Sequence, residues 1–581
     1  MASRWSLLLA PVALAAAVQM ASAESHPRLH WPLPADSTAV NGVMPTMHKH
    51  DLTQFKFKVP ATPPGPETPM HPRAAEGLKR VYRGSAVDVT KYHNDNYPTG
   101  WNQSETDLTP ATVASASFGK IKTIATDGNV LAQPLIVSNF TMPDNSVHNV
   151  LIIATGNNTV YAYDAQDYTL LWQKSLGTQQ STGDVGCGDI QGGYGISSTP
   201  VIVRTANNAA TIYVVAATEP AHLSFHTQLH ALDLGTGHDL HKPVEINPHA
   251  KLATGGIMHF DPQHQWSRAA LTYNNGSVYV SIGSHCDANA GNISGWELRY
   301  DATTLKMTNR FNTIEAAAGY ELSSIWMSGY SPAISPDGHV YVITGNGNYN
   351  TAKGAKGYGE SVLGLTSDLF RKPDMFTPAD WDSLNGSDAD FGSGGTMLVP
   401  TVAGQTLPPL LVAEGKAGDL FVLDSTHLGG LERANSKPLQ KFSGGSCWCG
   451  PAYYVGPSGG VVFYQSGGDG VRAYQVNATA TDGNILSSIG VGSVGSPFTG
   501  SFPVVSSNGT TAHTGIVWVV HRQTPETLEA YNAETLGSPL FSGSAGTWSN
   551  NDFRAYVSPL VANGRVYVGS KNAVTVFGLT N

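Results

Sequence analysis

The stretch Arg268 to Asn312 constrains this chain more than any other. An apolar run from Ala269 to Tyr273 meets Asn274-Asn275-Gly276, whose tolerance of positive φ suits a tight hairpin, and Ser277 to Ile282 alternates as a second strand. A polar loop, Gly283 to Gly295, leads to a third run at Trp296 to Tyr300. Asp301-Ala302-Thr303-Thr304 then turns the chain into a weaker fourth run ending at Phe311. Four antiparallel strands in about 45 residues make one propeller blade.

The pattern recurs at about 131–174, 195–243, 267–313, 328–376, 393–442, 450–489 and 500–542, and the third strand usually ends near an Asp or Asn (Asp164, Asp233, Asp301, Asp424, Asn532). A last copy, from Tyr556 to Gly578, has three strands only. The one unassigned strand-like piece, Phe118 to Ile124, is expected to complete it, since closing the ring removes exposed sheet edges. The expected fold is therefore all-β: an eight-bladed β-propeller over residues 99–581, its four-stranded last blade closed by an N-terminal strand.

Charged residues make up 13% of the 581, and with a net charge of −10 and no Lys/Arg block the chain has no footprint for nucleic acid. Arg4, the apolar stretch Leu7 to Val18 and Ala21-Ser22-Ala23 read as a signal peptide over 1–23. No later apolar run reaches spanning length, so a secreted protein is expected, periplasmic in a bacterium. Export gives meaning to eight Asn-x-Ser/Thr sequons, at Asn102, Asn139, Asn157, Asn275, Asn292, Asn385, Asn477 and Asn508, which accept glycans in a eukaryotic host. Residues 24–98 are rich in proline and histidine without period and read as an extended, partly disordered arm.

Strand alternation places the loop entering each innermost strand and the loop joining strands two and three on one face, the expected ligand mouth. Cys187 and Cys286 share that face, which makes them the expected disulfide in an exported chain. For Cys447 and Cys449, zinc with a histidine is a rival reading. The rim collects the candidates for ligand binding, Arg268, Ser393, Lys416, His521, Arg522, Arg554 and Lys571. His285 and Asp287 flank Cys286, and a His beside a carboxylate is a candidate base; with Glu360 they form the candidate catalytic set. Asp388 and Asp390 are the candidate metal ligands. The cationic members of this rim imply an anionic ligand.

The repeat of strand, Gly-rich loop, Tyr-x-Tyr-Asp-Ala, turn and Leu-Trp resembles the pyrroloquinoline-quinone (PQQ)-repeat propellers of the quinoprotein alcohol dehydrogenase-like superfamily. Gly283-Ser-His-Cys-Asp287, Thr344-Gly-Asn-Gly347, Gly392-Ser-Gly-Gly395 and Gly415-Lys-Ala-Gly418 resemble a secreted branch of mostly unassigned activity. The resemblance implies PQQ and Ca²⁺ as cofactors. Two departures stand against it: Cys447-Trp448-Cys449 has one residue where the dehydrogenases have adjacent cysteines, and Cys-x-x-Cys-His is absent, so no haem is expected. The sequence therefore supports three functions: a ligand-binding or interaction scaffold with a polar, locally cationic mouth, a PQQ-dependent dehydrogenase of an alcohol or sugar, and a carbohydrate-active hydrolase or lyase. The expected partners are a small anionic ligand, a carbohydrate or a protein, with no membrane span.

Overall fold

The computed structural model describes residues 86–580 apart from 253–254, 288–292, 315–321, 350–356, 372, 497–499 and 549–555. The signal peptide, most of the arm and Arg554 lie outside the described residues.

Among the described residues, eight sheets of four or five strands follow one another along the chain, with a two-stranded one, His249–Lys251 against Ile257–His259, between the second and third. Blade 1 is made of Leu135–Thr141, Val147–Ala154, Thr159–Asp164 and Leu170–Ser175, each antiparallel to the next. Blades 2 to 7 span 201–245, 272–312, 333–377, 396–443, 452–495 and 504–546 in the same order. Blade 8 has Leu560–Ala562, Arg565–Ser570 and Ala573–Leu579, and Phe118–Ala125 completes it, running from Phe118 opposite Leu579 to Ala125 opposite Ala573. The ring closes through packing too, because Tyr567, Val574 and Val576 of blade 8 share one apolar cluster with Ile136, Leu151 and Ile153 of blade 1. Helices are few and short, and no helix among the described residues is long and apolar enough to cross a membrane.

The Asp or Asn that recurs at the end of the third strand has a local cause. Its side-chain oxygen accepts from backbone N–H groups just beyond it, as Asp164 does from Gln166 (2.6 Å), Asp301 from Thr304 (2.8 Å), Asp424 from Thr426 (2.8 Å) and Asn532 from Glu534 (2.8 Å). These turns are built by the side chain, and they return the chain for the outermost strand.

The propeller begins earlier than Thr99. Residues 86–98, expected to belong to the arm, run round the inside of the ring with Val89, Tyr92 and His93 buried. Thr90, Asn96, Thr99 and Gly100 give their carbonyls to the N–H groups of Ile202, Ile334, Tyr453 and Val505, in blades 2, 4, 6 and 7. Val89 bridges Ile136 of blade 1, and the Asn102 amide donates to the Val561 carbonyl of blade 8. Val87 bonds Asn563, and Asn96 donates to the carbonyl of Tyr273, both beside turns that join first and second strands. Those turns lie on the face opposite the mouth. The segment is therefore a plug, and it was illegible because its backbone partners are spread over six blades.

Candidate functional site

Four carboxylates meet at the mouth between blades 3 and 5. Asp287 comes from the loop after the second strand of blade 3, Glu360 lies two residues before the third strand of blade 4, and Asp388 and Asp390 follow the short helix Trp381–Gly386 that leads into blade 5. One oxygen from each of Asp287, Asp388 and Asp390 lies within 4.8 Å of the others. Lys416, next after Glu414 and Gly415, places its ammonium 3.0 Å from both Asp388 and Asp390. The Asn346 amide donates to Asp388 (2.8 Å) and Asp287 (3.4 Å), and Glu360 accepts from the N–H of Phe391 (2.6 Å).

Burial works on this group against its charge. It pushes Asp287 up to about 6, with the charge of Asp390 adding to it, and lifts Glu360 well above the carboxylate range. Asp390 is raised by burial although Lys416 pulls it back, and Lys416 is held above its usual value because Asp390 and Asp388 outweigh its own desolvation.

A divalent cation fits this donor set. Oxygens up to 4.8 Å apart are what a cation with ligands at about 2.4 Å requires, and one lysine is too little charge for four carboxylates. Glu360 Oε1 and Asn346 Oδ1 are buried without a hydrogen-bond partner, and the Asn346 amide presents oxygen in place of nitrogen after a half-turn.

Further unpartnered polar atoms line the same end of the channel: the hydroxyls of Ser198, Ser267 and Ser324, Arg268 Nε, the indole N–H of Trp326 and both oxygens of Glu414. Glu414 is fully buried beside the Cys447–Cys449 disulfide, and burial raises its pKa well above the usual carboxylate range. Buried polar groups are almost always met, so such a concentration marks a place for a polar ligand. Arg268 Nε and the Trp326 indole donate, and the three hydroxyls can donate as well as accept, which suits an oxygen-rich ligand. Trp326 stands against Gly283 and Gly345, where a Cβ on Gly283 would come within 2.3 Å of the indole.

The remaining expected residues divide. His285 is buried between Tyr194 and Trp266, ring centroids 4.2 and 4.9 Å away, with both ring nitrogens unpartnered and its pKa pushed down to about 3 by burial. Cys187 and Cys286 are bonded, 2.02 Å between sulfurs, and the Cys447–Cys449 bond takes the two thiols that the zinc reading would need. Ser393 is a tie, donating to the Asp390 and Cys447 carbonyls. Arg268 donates to the Ser197 and Tyr556 carbonyls, and Arg522 to Trp448 and Gly500, its guanidinium 4.7 Å over the Tyr556 ring. His521 is buried against Gln465, and its pKa falls to about 4 through burial and the charge of Arg522. Lys571 stands apart, in a cleft of about 290 Å³ between blades 8 and 1 with Asp127 and Asn157. The association of Asp287 with Asp388 and Asp390 escaped the sequence, because about a hundred residues separate them.

No known family's sequence profile matches the chain, and no curated protein does. Solved structures do. A quinohemoprotein alcohol dehydrogenase from Comamonas testosteroni superposes with a TM-score of 0.54 at 14% identity over 85% of this chain and 81% of that one. A second, from Pseudomonas putida HK5, gives 0.54 at 13% over 85% and 80%, and a europium-containing methanol dehydrogenase gives 0.53 at 14% over 85% and 98%. What these likenesses establish is the architecture: the chain is an eight-bladed propeller with the fold of the quinoprotein alcohol dehydrogenases.

Proposed function

We propose that the mouth is the site of a quinone-dependent oxidoreductase acting on an alcohol or a sugar, in an exported protein whose leader is residues 1–23. The observation that supports this most is the imbalance of four carboxylates against Lys416, with oxygens of Glu360 and Asn346 left over. Asp287, Asp388, Asp390 and the Asn346 oxygen would hold a divalent cation such as Ca²⁺. When bound, PQQ supplies a two-electron acceptor and the cation an electrophile.

The chain's own groups orient what binds. Lys416 fixes Asp388 and Asp390, and its ammonium lies 5.2 Å over the Trp448 ring, which ties the carboxylates to the Cys447–Cys449 loop. Burial biases Glu414 toward the protonated form, which can donate to a ligand oxygen, and neutral His285 offers one ring N–H and one acceptor nitrogen. Trp326 gives a flat wall.

A non-catalytic ligand-binding scaffold is the second reading. It is favoured by Lys416 already pairing with two of the carboxylates, and by the residue that separates the bonded cysteines. Calorimetric titration with Ca²⁺ and PQQ, followed by dye reduction over a panel of alcohols and sugars, separates the two. Binding with turnover is expected, both lost in Asp390→Asn. Binding without turnover leaves the scaffold, and no binding of either ligand removes the oxidoreductase.

A further inference from the structure

The sequons described by the structure fall into two groups by exposure and by bonding. Asn139, Asn275, Asn477 and Asn508 are exposed, and their side chains make no hydrogen bond. Asn102 is buried and spends its amide on the Val561 carbonyl and its oxygen on the N–H of Ser104. Asn157 donates to Asp127 at 2.9 Å, and Asn385 accepts from the N–H of Gly347 at 2.7 Å, both half-buried.

The same division is a division between faces. Asn275 and Asn508 sit in the turns joining first and second strands of blades 3 and 7, Asn139 stands at that end of the first strand of blade 1, and Asn477 begins the turn between third and fourth strands of blade 6. All of these positions are on the closed face, where residues 86–102 plug the channel. Asn157, between second and third strands of blade 1, and Asn385, in the connection from blade 4 to blade 5, are on the mouth face.

We infer that in a eukaryotic secretory route this chain carries N-linked oligosaccharides at Asn139, Asn275, Asn477 and Asn508, all on the closed face, and none at Asn102, Asn157 or Asn385. The reaction is a glycosyl transfer without change of oxidation state. The side-chain Nδ2 forms a bond to the anomeric carbon of the oligosaccharide, and the bond from that carbon to a polyisoprenyl pyrophosphate breaks. The pyrophosphate leaves with the electron pair, and one amide proton passes to a base of the transferase. The donor is therefore a lipid-linked oligosaccharide.

Transfer takes place while the chain is still unfolded, so burial acts afterwards. A glycan on Asn102 would have to fit between the plug and blade 8 at 3% exposure, and such a chain cannot close its ring. Sugar on Asn157 would sit on the nitrogen that donates to Asp127, and sugar on Asn385 would have to fit beside the Gly347 N–H that the same half-buried amide holds through its oxygen. Sugar on the four exposed sites touches nothing, and it leaves the mouth open to a solute or a partner. Among the seven described sequons, the sugars then fall on the closed face alone.

The test is glycopeptide mapping of the full chain, secreted by a eukaryotic host, with enzymatic deglycosylation in heavy-oxygen water to mark each formerly occupied asparagine. Occupancy at the four closed-face sites at least five-fold above that at Asn102, Asn157 and Asn385 is expected. Each single Asn→Gln change among the four should remove one glycan's mass without lowering secretion. Comparable occupancy at any of the other three, or an unmodified asparagine at two or more of the four, overturns the inference. Asn292 lies outside the described residues and is left out of the comparison.

Discussion

His93 and His285 are both fully buried, and burial pushes both down to about 3, yet they differ in what surrounds them. His93, in the plug, has Ser558 Oγ at 3.0 Å from one ring nitrogen and the Pro98 carbonyl at 3.4 Å from the other. His285, at the mouth, has no partner for either. The two ends of the channel differ in the same way. At the plugged end Tyr330 donates to the Pro98 carbonyl and Asp95 accepts from Tyr97 and Thr99, so its polar groups are matched within the chain. At the mouth, Glu360, Asn346 and Glu414 keep unmatched oxygens. Matched burial is what a fold requires of itself, and unmatched burial is what a fold holds ready for something else.

The largest expected effect breaks the matched end. Chains starting at Ala86 should stay soluble and melt cooperatively. A chain starting at Gln103 should lose the fold, because innermost strands of five blades each lose a backbone partner and that of blade 8 loses the Asn102 amide, at about 1 kcal/mol apiece, together with the buried Tyr92 and His93. Soluble yield and thermal melting of the two proteins measure it. Equal stability would mean that the plug does not hold the ring together.

A smaller effect tests the unmatched end. Lys416→Met removes the one cation among the described residues that touches Asp388 and Asp390, and should cost about 3–5 kcal/mol in chelator, the usual result of leaving a buried charge without its partner. Millimolar Ca²⁺ should restore most of that loss, because a cation bound only by the folded chain stabilises it. Arg268→Met is the control. It removes bonds to two carbonyls, and its cost should be the same with and without Ca²⁺. Denaturant midpoints of both variants decide it, and a Ca²⁺ response equal in the two would erase the distinction between the arginine and the lysine.

Much of this was legible because propeller blades are local. Each strand pairs with its neighbour in sequence, so an Asn-Gly turn after Tyr273 or an Asp after Tyr163 carries its own structural reason, and the missing strand of blade 8 left a single candidate at Phe118. The bridge from Cys187 to Cys286 followed from the alternation of faces. The plug and the acidic centre were not local. Thr90 and Gly100 bind strands more than a hundred residues away, and nothing in their neighbours' periodicity announces it. Asp287 and Asp390 stand out in the sequence separately, as the partner of a candidate base and as a candidate metal ligand, but nothing there joins them to each other or to Asn346. Arg268 and Arg522 show the opposite case. Their charge is visible in the sequence, but the carbonyls that take their hydrogen bonds are not.

The smallest expected effect uses a group at neither end. Glu297, in the third strand of blade 3, is fully buried; one oxygen accepts from Ser281 at 2.6 Å and the other has no partner, so it is matched by half. Burial pushes it up to about 8 from an ordinary value of 4.5, although Ser281 pulls the other way. Between those two values the folded chain keeps a proton that the unfolded chain has lost. Its contribution to stability is therefore complete below pH 4.5 and is lost as pH rises through 8. Glu297→Gln removes that titration, so wild type and variant should be close near pH 4.5. The variant should gain steadily above it, on the order of 1–3 kcal/mol by pH 8, which allows for relaxation below the 1.4 kcal/mol per unit that the shift itself implies. Urea unfolding of both proteins at pH 5 and pH 8 reads the difference. Parallel pH profiles would show that a half-matched acid inside a blade sits at no cost, and the raised values at Glu360 and Glu414 would then need a cause other than burial.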